Sequence, residues 1–165
     1  MTPSVRPPKS PDSAGPAGVF WQAWFDGSAL PNPGRMGIGL VLQAPDGSVC
    51  ERSFLARESG CNNEAELHAL CALLELARDK GVRHLQIHGD SNVAVRYTNG
   101  VDATTIARLQ TLIVRAQGLL AEFGEVSLCW IPRHRNGAAD TLSRRALGLP
   151  PKPALAQGKR HGRRA

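Results

Sequence analysis

CNNEAELHALCALLELARDKG, residues 61–81, reads as one long helix opened by two asparagines. At about 100° per residue, Ala69, Leu70, Leu73, Leu74 and Ala77 share one side of that helix with Glu66. Glu64, His68, Glu75 and Asp79 fall on the opposite side, which reads as solvated. An ionised acid in the middle of an apolar stripe is costly unless something cationic compensates it. No lysine or arginine of this helix lies on that side. The plain alternative is an acid in a fraying first turn, favoured by the helix dipole and reaching water. Whatever meets Glu66 has to come from the rest of the chain.

Before the helix, three short segments alternate with turn signals. Residues 19–28 (VFWQAWFDGS) read as a strand ending at Asp26-Gly27, and LPNPG, residues 30–34, as a turn. Residues 36–43 (MGIGLVLQ) and 48–56 (SVCERSFLA) read as two more strands, joined by the hairpin signal Pro45-Asp46-Gly47. After the helix, residues 82–88 (VRHLQIH) form a fourth strand closed by Gly89-Asp90-Ser91, with a short helix over 92–98. Residues 104–123 form an amphipathic helix with Ile106, Leu109, Ile113, Ala116 and Leu120 on one side. A fifth strand over 126–131, a loop over 132–136 and a last helix over 137–147 complete the body. Three hairpin-linked strands followed by strands separated by helices imply an α/β fold: one mixed sheet with helices on its faces.

The 165 residues fit one domain with a sizeable core, and 42% of them are apolar. The expected division is a disordered tail over 1–18, rich in Pro, Ser and Gly, a folded domain over 19–149, and a basic disordered tail over 150–165. The net charge of +6 is carried by the ends. Residues 150–165 hold Lys152, Lys159, Arg160, Arg163 and Arg164 and no acid, while the body balances its acids and bases. A basic tail on a neutral body suits a polyanionic partner, and it suits solubility equally well. Cys50, Cys61, Cys71 and Cys129 form no metal-finger spacing, and Cys71 and Cys129 are expected to be buried free thiols in a reducing compartment. No run approaches the ~20 apolar residues that span a bilayer, and the N-terminus has no apolar leader core. A soluble, cytoplasmic monomer without a membrane partner is expected.

The unusual carboxylates converge on this sketch. Asp26 ends the first strand, Asp90 the fourth, Glu66 begins the long helix, and Asp140 lies in the last one. Taken singly, Asp26 belongs to a turn, Asp90 to a helix cap and Asp140 to the surface near Arg144. In a sheet with parallel strands, however, ligands collect beyond the carboxyl ends of the strands. If the first and fourth strands are parallel neighbours, Asp26 and Asp90 share that end. Clustered carboxylates repel unless divalent cations neutralise them, and hard oxygen ligands suit Mg²⁺ or Mn²⁺. Two such ions ~4 Å apart clamp the attacking and leaving oxygens of an in-line phosphoryl displacement.

FDGSALPNPG (residues 25–34), NNEAEL (62–67), GDSNVAV (89–95) and HRNGAADTLSRRAL (134–147) resemble, in order, the four motif blocks of type 1 ribonuclease H. The resemblance covers residues 20–148. It implies a five-stranded mixed sheet of strand order 3-2-1-4-5 with strand 2 antiparallel. It also implies cleavage of the RNA strand of RNA–DNA hybrids by two metal ions, leaving 5′-phosphate and 3′-hydroxyl ends. Asp26, Glu66, Asp90 and Asp140 match the family's metal-binding acids, and His134 matches a loop histidine that assists proton transfer or product release. Gly27, Ser28, Asn32, Asn62, Asn63, Ser91 and Asn136 are the expected substrate contacts, with amides reaching 2′-hydroxyls in the minor groove. Asn62 or Asn63 is at the same time a candidate helix cap.

The chain departs from the family in three places. Only NGVDATT, residues 99–105, separates the helices that in some members flank a basic, Trp-bearing protrusion, and the GKRHGRR tail is a candidate replacement for it. Cys61 stands where many relatives have threonine, a better hydrogen-bond donor, and no separate N-terminal hybrid-binding domain is expected. Two other readings stay open: a nuclease of the same fold for another nucleic acid, and a catalytically silent nucleic-acid binding module.

Overall fold

Alternation along β2 (Gly34–Gln43) decides how the sheet is sandwiched. Met36, Ile38, Leu40 and Leu42 are almost wholly buried on one face, and the intervening Gly37 and Gly39 lie on the other. In the computed structural model, which describes residues 19–153, β2 pairs antiparallel with β1 (Trp21–Leu30) and with β3 (Val49–Gly60). β4 (His84–Gly89) runs parallel to β1, and β5 (Glu125–Trp130) parallel to β4. The order is β3-β2-β1-β4-β5, the mixed sheet expected from the sequence. The tails expected to be disordered lie outside the described residues, apart from 150–153.

α1 (Asn62–Asp79) and α3 (Ala107–Leu120) cover the Ile38 face. Leu67, Leu70, Leu73, Leu74, Leu109 and Ala116 join Phe25, Leu85 and Ile87 there in one core, to which α2 (Asn92–Thr98) adds Ala94 and Val95. Burial of each large aliphatic side chain stabilises by about 1.5–3 kcal/mol. α4 (Gly137–Ala146) lies on the opposite face. It sits close to β2 because Gly37 and Gly39 leave room: a Cβ on Gly39 would lie 2.2 Å from the Ala139 carbonyl oxygen, and one on Gly37 2.5 Å from that of Ser143.

Several expectations need correction. Asp26 is not at the end of β1. Pairing of β1 with β4 stops at Phe25, but pairing with β2 carries the strand on to Leu30. On α3 the buried residues are Leu109, Leu112, Ile113, Ala116 and Leu119, whereas Ile106 is exposed and precedes the helix. Glu64, expected on a solvated face, is buried: its carboxylate accepts from the Cys61 N–H (3.4 Å) and pairs with Arg108 of α3 at 3.0 Å. Burial works against its charged form, yet those two donors hold its carboxyl below the ordinary value. Cys129 is exposed on β5, while Cys71 is buried as expected, and burial pushes its thiol up to about 11. No described helix is long and apolar enough to cross a membrane.

Candidate active site

The parallel register of β1 and β4 sets the geometry. Phe25 is opposite Gly89, so Asp26 and Asp90 follow immediately at the same end of neighbouring strands. Beyond Asp90 the chain turns into α2, whose N-cap Ser91 accepts from the Ala94 N–H at 3.1 Å. The Asp90 carbonyl accepts from the Trp130 indole at 3.1 Å.

Gly27 brings the third acid in. A Cβ there would lie 2.1 Å from the Ala65 carbonyl oxygen and 2.8 Å from the Glu66 nitrogen, so only glycine lets the first turn of α1 lie on β1. That close approach delivers Glu66 to Asp26. Carboxylate oxygens of Asp26, Glu66 and Asp90 lie within 4.8 Å of one another. Burial, reinforced by the charges of Asp90 and Asp140, pushes Asp26 up to about 7. Burial and the adjacent Asp26 carry Glu66 well above its usual range. Glu66 Oε2 is buried without a hydrogen-bond partner. Asp140, in the first turn of α4, borders the same cavity of about 290 Å³ and adds its charge to Asp26.

This donor set fits a divalent ion. It is all carboxylate, its burial and crowding raise Asp26 and Glu66 above the ordinary carboxylate range, and it leaves one buried oxygen unsatisfied. Asp26, Glu66 and Asp90 could ligate one ion together, with Asp140 at the edge.

The remaining expected residues divide. Asn63 is exposed and borders the cavity, as do Ser28 and Ser91. Ser28 Oγ also lies 3.1 Å from Ser143 Oγ of α4. Asn62 Oδ1 accepts from the Ala29 N–H at 2.8 Å, and the Asn62 N–H donates to Asn32 Oδ1 at 3.1 Å, which ties the β1–β2 turn to the start of α1. The N-cap is Cys61, not either asparagine. Asn136 is corrected from substrate contact to positioning residue. It is 1% exposed, and its Nδ2 donates to the Phe25 carbonyl at 2.9 Å and to Asp90 Oδ2 at 3.3 Å. Gly27 is buried under α1 and also borders the cavity. His134 is exposed on a 3₁₀ turn, Arg133–Arg135, and it is Arg133 that borders the cavity. Arg144 and Lys152 border it too. Sequence reasoning missed both as site residues, although the Pro-Lys-Pro setting of Lys152 was a signal.

Residues 24–146 match the family described as reverse transcriptase-like. Ribonuclease HI of Halobacterium salinarum is 36% identical over 125 residues, covering 76% of this chain and 63% of that protein. The crystal structure of RNase H1 from that halophilic archaeon aligns with a TM-score of 0.75 at 35% identity, over 78% of this chain and 98% of the solved one. This chain belongs to the type 1 ribonuclease H family. The same ribonuclease H fold recurs in the N-terminal RNase H domain of Rv2228c from Mycobacterium tuberculosis, solved as a fusion with maltose binding protein. Its TM-score is 0.74 at 32% identity, covering 79% of this chain and 94% of that one. LC11-RNase H1, solved in complex with an RNA/DNA hybrid, gives 0.71 at 28% identity over 78% and 96% of the two chains. The chain spans 63% of the length of the Halobacterium relative and 36% of the full bifunctional Rv2228c protein. Asp26, Glu66, Asp90 and Asp140 all fall inside the matched residues.

Proposed function

We propose that this chain is a metal-dependent endonuclease that hydrolyses the RNA strand of RNA–DNA hybrids. The carrying observation is the meeting of Asp26, Glu66 and Asp90 within 4.8 Å, with Glu66 Oε2 buried and unpartnered. Asp26, Glu66 and Asp90 would hold one divalent ion, Mg²⁺ or Mn²⁺, and Asp140 would complete the site of a second. Bound there, such ions supply the positive charge that stabilises the attacking and leaving oxygens of an in-line displacement at phosphorus.

The chain's own groups supply the rest. Asn136 fixes Asp90 against β1, so the acids are oriented before substrate arrives. With Asn32 and Asn62 holding backbone N–H groups through their Oδ1 atoms, their Nδ2 groups serve as donors to ribose 2′-hydroxyls. Water attacks the scissile phosphorus and the P–O3′ bond breaks. The 3′-oxygen takes up a proton, leaving 3′-hydroxyl and 5′-phosphate ends. His134 on its exposed turn moves that proton or speeds product release. We take the monomer as the working unit, since one chain carries all four acids.

The test is a panel of strand-labelled duplexes of one sequence: RNA–DNA hybrid, RNA duplex and DNA duplex, each with Mg²⁺ or Mn²⁺. Cutting confined to the RNA strand of the hybrid supports the reading. Preferential cutting of either homoduplex makes the chain a nuclease for another substrate, and binding of hybrid without cutting in either metal makes it a silent binding module.

A further inference from the structure

We propose that Lys152 is a tethered counter-cation of Asp140 that competes with a divalent ion for that carboxylate. Lys152 Nζ lies 3.7 Å from Asp140 Oδ1 and borders the cavity that holds Asp26, Glu66 and Asp90. Among the described residues this is the only ion pair made to any of those four acids.

The segment that carries Lys152 is held in place at several points. Leu147, just after α4, is 6% exposed and packs over Gly37. Gly148 then takes a positive φ of 74°, which reverses the chain. The Leu149 N–H donates to the Arg144 carbonyl at 2.9 Å, and Arg144 Nε donates to the Pro150 carbonyl at 2.8 Å. Pro150, Pro151 and Pro153 surround Lys152. Each proline fixes its own φ and restricts the residue before it, so little conformational freedom remains to be lost in presenting the ammonium. Arg144, a cation of α4 beside the cavity, is engaged in anchoring this strap.

The pair is weak by its geometry. Lys152 is 45% exposed, and water screens most of the attraction. It therefore tunes uptake at Asp140 without blocking it, raising the divalent concentration needed there by about two- to five-fold. Asp26, Glu66 and Asp90 have no such competitor among the described residues. Because the pair is electrostatic, monovalent salt narrows the difference.

This inference rests on the metal site proposed above, so its test reads metal and not cleavage. Mn²⁺ is titrated into the full chain, without nucleic acid, by calorimetry and by electron paramagnetic resonance of free Mn²⁺. The proteins compared are wild type, K152Q, K152R, D140N and D140N/K152Q. The expected result is uptake about two- to five-fold tighter in K152Q, K152R near wild type, and no gain from K152Q on the D140N background. Equal affinities in wild type and K152Q overturn the counter-cation while leaving the metal site standing, and so does a gain that persists without Asp140. Failure of the wild type to take up Mn²⁺ overturns both.

Discussion

Asn136 holds Asp90 from behind: its buried Nδ2 is 3.3 Å from Asp90 Oδ2 and 2.9 Å from the Phe25 carbonyl, the last residue of β1 before Asp26. One amide thereby references the Asp90 carboxylate to the backbone that positions Asp26. Asn136→Ala leaves a buried carbonyl without its donor, a loss of about 1–3 kcal/mol. It also loosens Asp90, and cleavage or metal affinity should fall about 10- to 100-fold. Chemical denaturation and a metal titration of hybrid cleavage check the two effects separately.

Asp26 and Glu66 make the metal-free protein sensitive to pH. Their folded-state carboxyls sit above the ordinary range, Asp26 at about 7, so the folded state binds more protons than the unfolded one. The cost is absent below the unfolded values, grows as pH rises from about 4 through 7, and is complete above that. In chelator at pH 8, Asp26→Asn should therefore be more stable than wild type, on the order of 2 kcal/mol. The gain should vanish near pH 4 and shrink when Mg²⁺ is added to the wild type. Thermal melts across that range decide it.

The two glutamates at the start of α1 should behave oppositely. Glu66→Gln removes an acid from the cluster and should abolish cleavage with the fold intact. Glu64→Gln leaves the cluster whole but weakens the tie to the Cys61 N–H and to the largely exposed Arg108. It should cost about 1 kcal/mol and retain cleavage. Melting curves and cleavage assays on both variants give the comparison.

Gly27 tests how Glu66 is delivered. The added methyl of Gly27→Ala meets the Ala65 carbonyl at 2.1 Å, which forces α1 off β1 or unfolds the domain. A loss of about 3 kcal/mol or more is expected. Circular dichroism during urea unfolding measures it.

Much of this was legible in the sequence, for physical reasons. The alternation of Met36, Ile38, Leu40 and Leu42 and the strand-then-helix order specify the sheet, and motif order places Asp26 and Asp90 at one end of it. The stripe on α1 singles out Glu66. The same stripe misplaced Glu64, because the cation that pairs with it, Arg108, arrives from a helix 44 residues on, which helical periodicity cannot register. Cys129 was misread because β5 leaves that side chain uncovered. Asn136 looked like a loop amide until its partners, Phe25 and Asp90, came together in the fold. Lys152 reads as part of the tail in the sequence because the turn at Gly148 that returns it to the cavity exists only in three dimensions.

The central claim is that Asp26 and Asp90 converge to hold divalent ions for hydrolysis of the RNA strand. Single-turnover cleavage of a hybrid labelled on each strand, by wild type, Asp26→Asn and Asp90→Asn in Mn²⁺ and again in chelator, tests it most directly. The expected result is RNA-strand cutting by the wild type in Mn²⁺ alone, and none by either variant although both remain folded. Cutting that survives chelation, or that persists in both variants, would contradict it.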